Sequence, residues 1–131
     1  MTELHEILYG SLLSPAQPPN IVGQIVSQAR NRNEARGITG LLVFDGMRFC
    51  QHFEGRHHDV LALMTTLERD PRHMDVRILH RGPIERRRYT RFDLGLTQGE
   101  DGDDLAELLA LDGQAAIDRF LALRPGFDVN G

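Results

Sequence analysis

The stretch GMRFCQHFEG, residues 46–55, alternates like a strand, so Phe49, Gln51 and Phe53 share one face and Cys50, His52 and Glu54 the other. The phenylalanine face should be the core face, and a buried amide without partners costs about 1–3 kcal/mol. A partner is available in LHEILYGS, residues 4–11, where Ile7, Tyr9 and Ser11 share a face. A phenol hydroxyl and a carboxamide are a matched donor and acceptor. Tyr9 and Gln51 are therefore either a structural pair that satisfies itself or two members of a site. Asn33, beside the segment GITG, poses the same choice: it can cap backbone groups, or serve a ligand edge that alternates acceptors and donors.

Other reactive residues have plainer readings. His52, His57 and His58 match no compact zinc spacing, and the single cysteine leaves no thiolate pair to help, so no metal is expected and the histidines read as solvated. ERRRY, residues 85–89, reads as a solvated turn more readily than as an anion site. Cys50 reads as a small buried thiol with nothing beside it to lower its pKa.

The elements that must hold these residues follow from periodicity. The strand 4–11 is followed by SPAQPPN, residues 14–20, whose three prolines make it a loop. Asn20 can cap a helix carrying Ile21, Val22, Ile25, Val26 and Ala29 on one stripe, through about Arg30, with the polar NRNEARG ending it. ITGLLVF, residues 38–44, is a strand, and Asp45-Gly46 is a two-residue hairpin signal that pairs it antiparallel with 46–55. A second helical stripe of Val60, Leu61, Met64 and Leu67 has Asp59 in its first turn and ends near RDPRH. VRILHRGP (76–83) and RFDLGL (91–96) are the last strands, and GEDGDD (99–104) is a linker. Leu105, Leu108 and Leu109, then Ile117, Phe120 and Leu121, mark two short amphipathic helices ended by Pro125-Gly126.

The order βαββαββ with a central hairpin gives an α+β, ferredoxin-like sheet with two helices on one face, the C-terminal helices covering the other. The chain has 131 residues, 40% hydrophobic and 26% charged, which suits one core. A net charge of −4 argues against nucleic-acid binding. No apolar run reaches the ~20 residues of a membrane span, and no signal peptide is evident, so a cytoplasmic location is expected.

Taken together, LYGS with Tyr9, ARNRNEARGITGLLVF with Asn33, GMRFCQHFEG with Gln51, LERDPRHMDVRIL with Asp70, Arg72 and His73, and then GPIERRRY make the chain resemble the BLUF domains, flavin-binding sensors of blue light, from about Leu4 to Leu96. The resemblance implies a flavin, FAD ahead of FMN, held noncovalently between the two long helices. It implies that Asn33 binds the polar edge of the ring, with Arg32 just before it, that Ile25 and Leu67 sandwich the ring, and that Phe49 packs nearby. It places Asp70, Arg72 and His73 near the ribityl and phosphate end, and makes Tyr9 and Gln51 the photoactive pair. Gln51 then faces inward because its partners are Tyr9 and the N5 and O4 atoms of the flavin.

The implied activity is light-driven proton-coupled electron transfer from tyrosine and a glutamine rearrangement, giving a red-shifted state without substrate turnover. The domains expected are residues 1–97 for the sensor and 98–131 for a helical extension, a stand-alone arrangement whose signal passes to a separate protein or to a homo-oligomer. Phe92 and Leu94 stand where much of the family carries tryptophan and methionine, so the output route is expected to be altered. Two rivals share the fold: a light-independent interaction module, and an acylphosphatase-like hydrolase, whose arginine-bearing phosphate loop is missing from GSLLSPAQPPN.

Overall fold

A computed structural model describes residues 3–15, 17–18, 20–96, 103–126 and 128–130. Its elements are β1 (Leu4–Leu13), α1 (Ile21–Ala35), β2 (Thr39–Phe44), β3 (Arg48–Arg56), α2 (His57–Glu68), β4 (His73–Ile84), β5 (Phe92–Leu96), α3 (Asp103–Leu109), α4 (Gly113–Leu123) and β6 (Asp128–Asn130). One sheet runs β4-β1-β3-β2-β5-β6. Its first four strands are antiparallel, as the split βαβ plan requires, and β5 adds parallel to β2. The three-residue β6, too short to show a period, pairs with β5 and was not legible in the sequence.

The strand alternation sorts the core into two faces. Ile7, Tyr9 and Phe53 pack with Val60, Leu63, Met64 and Leu67 of α2, while Leu42 and Phe49 pack with Val26 and Ala29 of α1 and with Phe92 of β5. On the other face Leu8, Leu41, Val43, Cys50 and Leu79 pack with Leu105 and Leu108 of α3 and with Ala116, Ile117 and Phe120 of α4. The C-terminal helices thus cover the second face as expected, and their four large buried side chains contribute of the order of 10 kcal/mol by burial. Gly10 permits the fit, since a Cβ there would lie inside the Leu109 side chain. Arg77 of β4 holds the end of α3, donating to the Leu109 and Leu111 carbonyls and to Asp112.

Local details depart from the sequence reading. Helix α1 does not stop near Arg30 but runs to Ala35, because Asn33 continues the buried stripe one turn beyond Ala29. Asn20 stands at the helix start, yet its side chain makes no capping hydrogen bond. On α2 the buried position is Leu63, and Leu61 is exposed, since residues 60, 63, 64 and 67 share the face toward the sheet. The hairpin turn is shifted by one residue: Asp45 N–H donates to the Arg48 carbonyl, with Gly46 at φ 101° and Met47 between them. The Asp45 carboxylate steadies the turn by accepting from the Met47 and Arg48 amides. Most of the proposed linker, residues 99–104, lies outside the described residues; α3 begins at Asp103.

Candidate functional site

Tyr9 and Gln51 are opposite each other in the β1–β3 ladder, and the Tyr9 hydroxyl donates to Gln51 Oε1 at 2.6 Å. Both are buried. The β1–β4 ladder slips on either side of Tyr9, between Leu8 and Tyr9 and between Gly10 and Leu12, irregularities of the kind that aim a side chain. Burial, with Cys50 nearby, raises the Tyr9 phenol far above its ordinary value, so the proton stays on the oxygen.

The pair lies at the floor of a cleft between α1 and α2. Ile25, Arg32, Phe49, Leu67, Asp70, Arg72 and His73 line it with Tyr9 and Gln51, so nine of the ten residues singled out in the sequence meet there. Ala29 and Leu42 complete the lining, and both had a signal: Ala29 is one turn beyond Ile25, and Leu42 is the ladder partner of Gln51. Asn33 is the exception. The two helices close over the cleft to a free volume of about 20 Å³, room for one water, and this space stops short of Asn33, which is fully buried.

The polar groups divide by whether they are satisfied. Asp70 and Arg72 hold each other, with 2.6 Å between Asp70 Oδ2 and Arg72 Nη2, and Arg72 Nη1 donates to Gln28. That pairing outweighs burial and lowers the Asp70 pKa. Burial lowers the His73 pKa, leaving a neutral ring whose Nε2–H donates to the Leu67 carbonyl and whose Nδ1 accepts from Ser11. Its ring nitrogens are therefore held by Ser11 and Leu67, which fixes the ring where it lines the cleft. Two groups at the cleft and beside it are not satisfied: Gln51 Nε2 and Asn33 Nδ2 are buried and have no hydrogen-bond partner among the described residues. Arg32, half-buried, brings a cation to the cleft whose pKa is lowered chiefly by burial.

A flavin suits this donor set. The ring presents carbonyl oxygens and nitrogens along one edge, and two carboxamide N–H groups that lack acceptors are what such an edge would satisfy. Ile25, Ala29, Leu42, Phe49 and Leu67 supply apolar walls. The fit rests on this chemistry and not on free volume: seating a tricyclic ring requires α1 and α2 to part.

Directly behind Gln51, on the opposite face of β3, His52 is completely buried and not solvated. Burial lowers its pKa, so the neutral ring donates from Nε2 to Glu6 at 2.7 Å and accepts at Nδ1 from the Tyr89 hydroxyl at 2.7 Å. Burial alone would raise Glu6, but His52 and Arg88 outweigh it and hold its carboxyl at about 2. Arg88 Nη1 pairs with Glu6 at 2.5 Å, and Glu54 accepts from the Arg88 and Tyr89 amides. The ERRRY segment is therefore not a free turn: its last two residues are anchored by buried carboxylates. The His52 ring also meets Phe120 of α4 edge-on, and Arg124 lies over the Tyr89 ring. The alternation of β3 gave the face of His52 correctly, but its partners lie 37 and 46 residues away in sequence.

Comparison with known proteins matches this architecture. The family model described as "BLUF: Sensors of blue-light using FAD" covers residues 4–95. The blue light- and temperature-regulated antirepressor BluF of Escherichia coli (strain K12) is 30% identical over 103 residues, covering 75% of this chain and 26% of that protein. The chain thus spans about a quarter of that relative's length. The dark-state structure of BlrB, a BLUF protein, superposes with a TM-score of 0.71 at 31% identity, covering 86% of each chain. Klebsiella pneumoniae BlrP1, solved with FMN and cyclic diGMP, gives 0.67 at 30% identity, covering 82% of this chain and 29% of that one. With the family model matched over residues 4–95, which hold β1 to β4, nearly all of β5 and both long helices, the chain belongs to the BLUF family of flavin-using blue-light sensors.

Proposed function

We propose that this chain senses blue light through Tyr9 and Gln51, with the flavin held by Ile25, Arg32, Asn33, Phe49, Leu67, Asp70, Arg72 and His73. The observation that carries the reading is the state of the Gln51 amide: its Oε1 is committed to Tyr9, and its buried Nε2 has no acceptor among the described residues. When bound, the flavin supplies a blue-absorbing ring that is a strong oxidant once excited. Tyr9 yields an electron readily only if its proton leaves too, and the bond to Gln51 Oε1 is the route for that proton. Electron and proton then return to Tyr9, so no net oxidation remains, and the amide is left in a changed hydrogen-bond arrangement. Asn33 Nδ2 fixes the ring edge, while Ile25, Leu67 and Phe49 exclude water from the pair. Arg32 and Arg72 suit a phosphate-bearing tail, which favours FAD or FMN over riboflavin, with FAD first. No tryptophan stands in this chain to compete with Tyr9 as electron donor.

The reading extends to output. From Gln51 toward β5 the ladder neighbours are Leu42 and then Leu94, which offer no polar link. On the other side His52 joins β3 to Tyr89 and Phe120 through groups that a small shift of β3 would disturb. We therefore place the signal route through His52 to α4, and expect the extension after residue 97 to present it to a separate partner or to a second copy, with no turnover reaction in the sensor. A hydrogen-bond change is worth about 1 kcal/mol, so it would shift the C-terminal helices and not unseat them.

The closed cleft is the feature that a light-independent interaction module would also show. Spectroscopy separates the two. The purified chain, reconstituted with FAD and in parallel with FMN, should be yellow, shift its absorption to the red under blue light and recover in darkness. A chain that takes up neither flavin contradicts the sensor reading.

A further inference from the structure

The start of β1 and the start of α2 meet away from the cleft, four residues down the strand from Tyr9 and ten residues down the helix from Leu67. The β1–β3 ladder pairs Leu4 with Arg56, so His57, the first residue of α2, comes to rest beside Glu3, and its N–H donates to the Glu3 carbonyl at 3.2 Å. Glu3 immediately precedes β1, and His5 is the second residue of that strand. One ligand atom from each of Glu3, His5 and His57 lies within 4.8 Å of those from the other two. The His5 and His57 rings stack face to face at 3.7 Å and 9°, so one ring must turn about its side-chain bonds for both to direct a nitrogen at a single ion. Independently, His5 Nδ1 is shut off from solvent and has no hydrogen-bond partner.

We propose that Glu3, His5 and His57 bind a divalent transition cation of the zinc class. Two imidazole nitrogens and one carboxylate oxygen suit Zn²⁺ and its neighbours, whereas Mg²⁺ and Ca²⁺ ask for six or more oxygens. Three protein ligands leave a fourth tetrahedral position for water, and Glu3 and His57 are exposed, so water and cation have access. The surroundings set a modest affinity. The positive N-terminus of α2 and Arg81, which lines the same surface cleft, oppose the cation, while Asp59 in the first turn of α2 offsets them. The cation would tie the first strand to the second helix. Sequence spacing could not reveal the trio, because the neighbour of His57 is His5, brought to it by strand pairing although the two lie 52 positions apart.

Titration calorimetry of the flavin-loaded chain with Zn²⁺, and in parallel with Mg²⁺, tests this. One Zn²⁺ per chain should bind and Mg²⁺ should give no heat. Glu3→Gln and His57→Gln, both at exposed positions and checked for an unchanged dark spectrum, should each weaken Zn²⁺ binding by about tenfold or more, while His58→Gln leaves it unaltered. Absence of Zn²⁺ binding, or affinity retained in either Glu3→Gln or His57→Gln, overturns the assignment.

Discussion

Tyr9 Oη and Gln51 Oε1 are 2.6 Å apart across the neighbouring strands β1 and β3, and the same amide leaves its Nε2 buried and, among the described residues, unpartnered. A pair that existed only to satisfy itself would not leave half of the amide without an acceptor. Removing the phenol oxygen by Tyr9→Phe strips Gln51 Oε1 of its donor, which should destabilise the fold by about 1–3 kcal/mol in denaturant titration. Flavin should remain bound and the light-minus-dark difference should vanish. Retention of that difference would remove Tyr9 from the photochemistry.

Gly10, immediately next to Tyr9 in sequence, leaves no room for a Cβ beneath the Leu109 side chain of α3. Gly10→Ala should cost about 1–3 kcal/mol by overpacking. Combining it with Leu109→Ala should recover part of that loss, so the two changes should be non-additive in a double-mutant cycle. Simple additivity would mean that the helix does not bear on Gly10.

His52→Gln keeps a polar group but cannot reach both Glu6 and Tyr89 as the ring does. The visible difference spectrum should persist, because His52 lies on the face away from the cleft. Light-dependent hydrogen exchange in α4 should fall. A full exchange response in α4 would move the output route elsewhere.

Glu6 supplies a pH dependence with a definite sign. Its folded pKa, about 2, lies below the ordinary 4.5. Its contribution to stability is therefore complete above about pH 4.5 and is lost as the pH falls toward 2, a change on the order of 3 kcal/mol. Glu6→Gln should flatten the stability profile over that interval in urea titrations, and a profile unchanged in the variant would show that Glu6 does not carry it.

The order of elements was legible because each strand and helix carries a period of its own, and the Tyr9–Gln51 pair was legible because an amide on a phenylalanine face demands a partner. What escaped has a common cause. Glu6, His52 and Glu54 are polar residues that are buried, and polarity in sequence signals an exterior unless the compensating partner is known. Those partners, such as Tyr89 for His52 and the Arg88 amide for Glu54, come from distant segments. For the same reason α1 seemed to end before Asn33, and the anchoring of ERRRY could not be foreseen. The closing of the cleft is a property of helix packing and leaves no mark on the sequence.

The central claim is that the Gln51 amide links Tyr9 to the flavin, and the difference spectrum of flavin-loaded Gln51→Leu tests it most directly. Leucine removes both the acceptor and the free N–H while keeping an apolar side chain of comparable length. The account predicts bound flavin, a normal dark spectrum and no red shift under blue light. A red shift in Gln51→Leu that forms and decays as in the unsubstituted chain would contradict it.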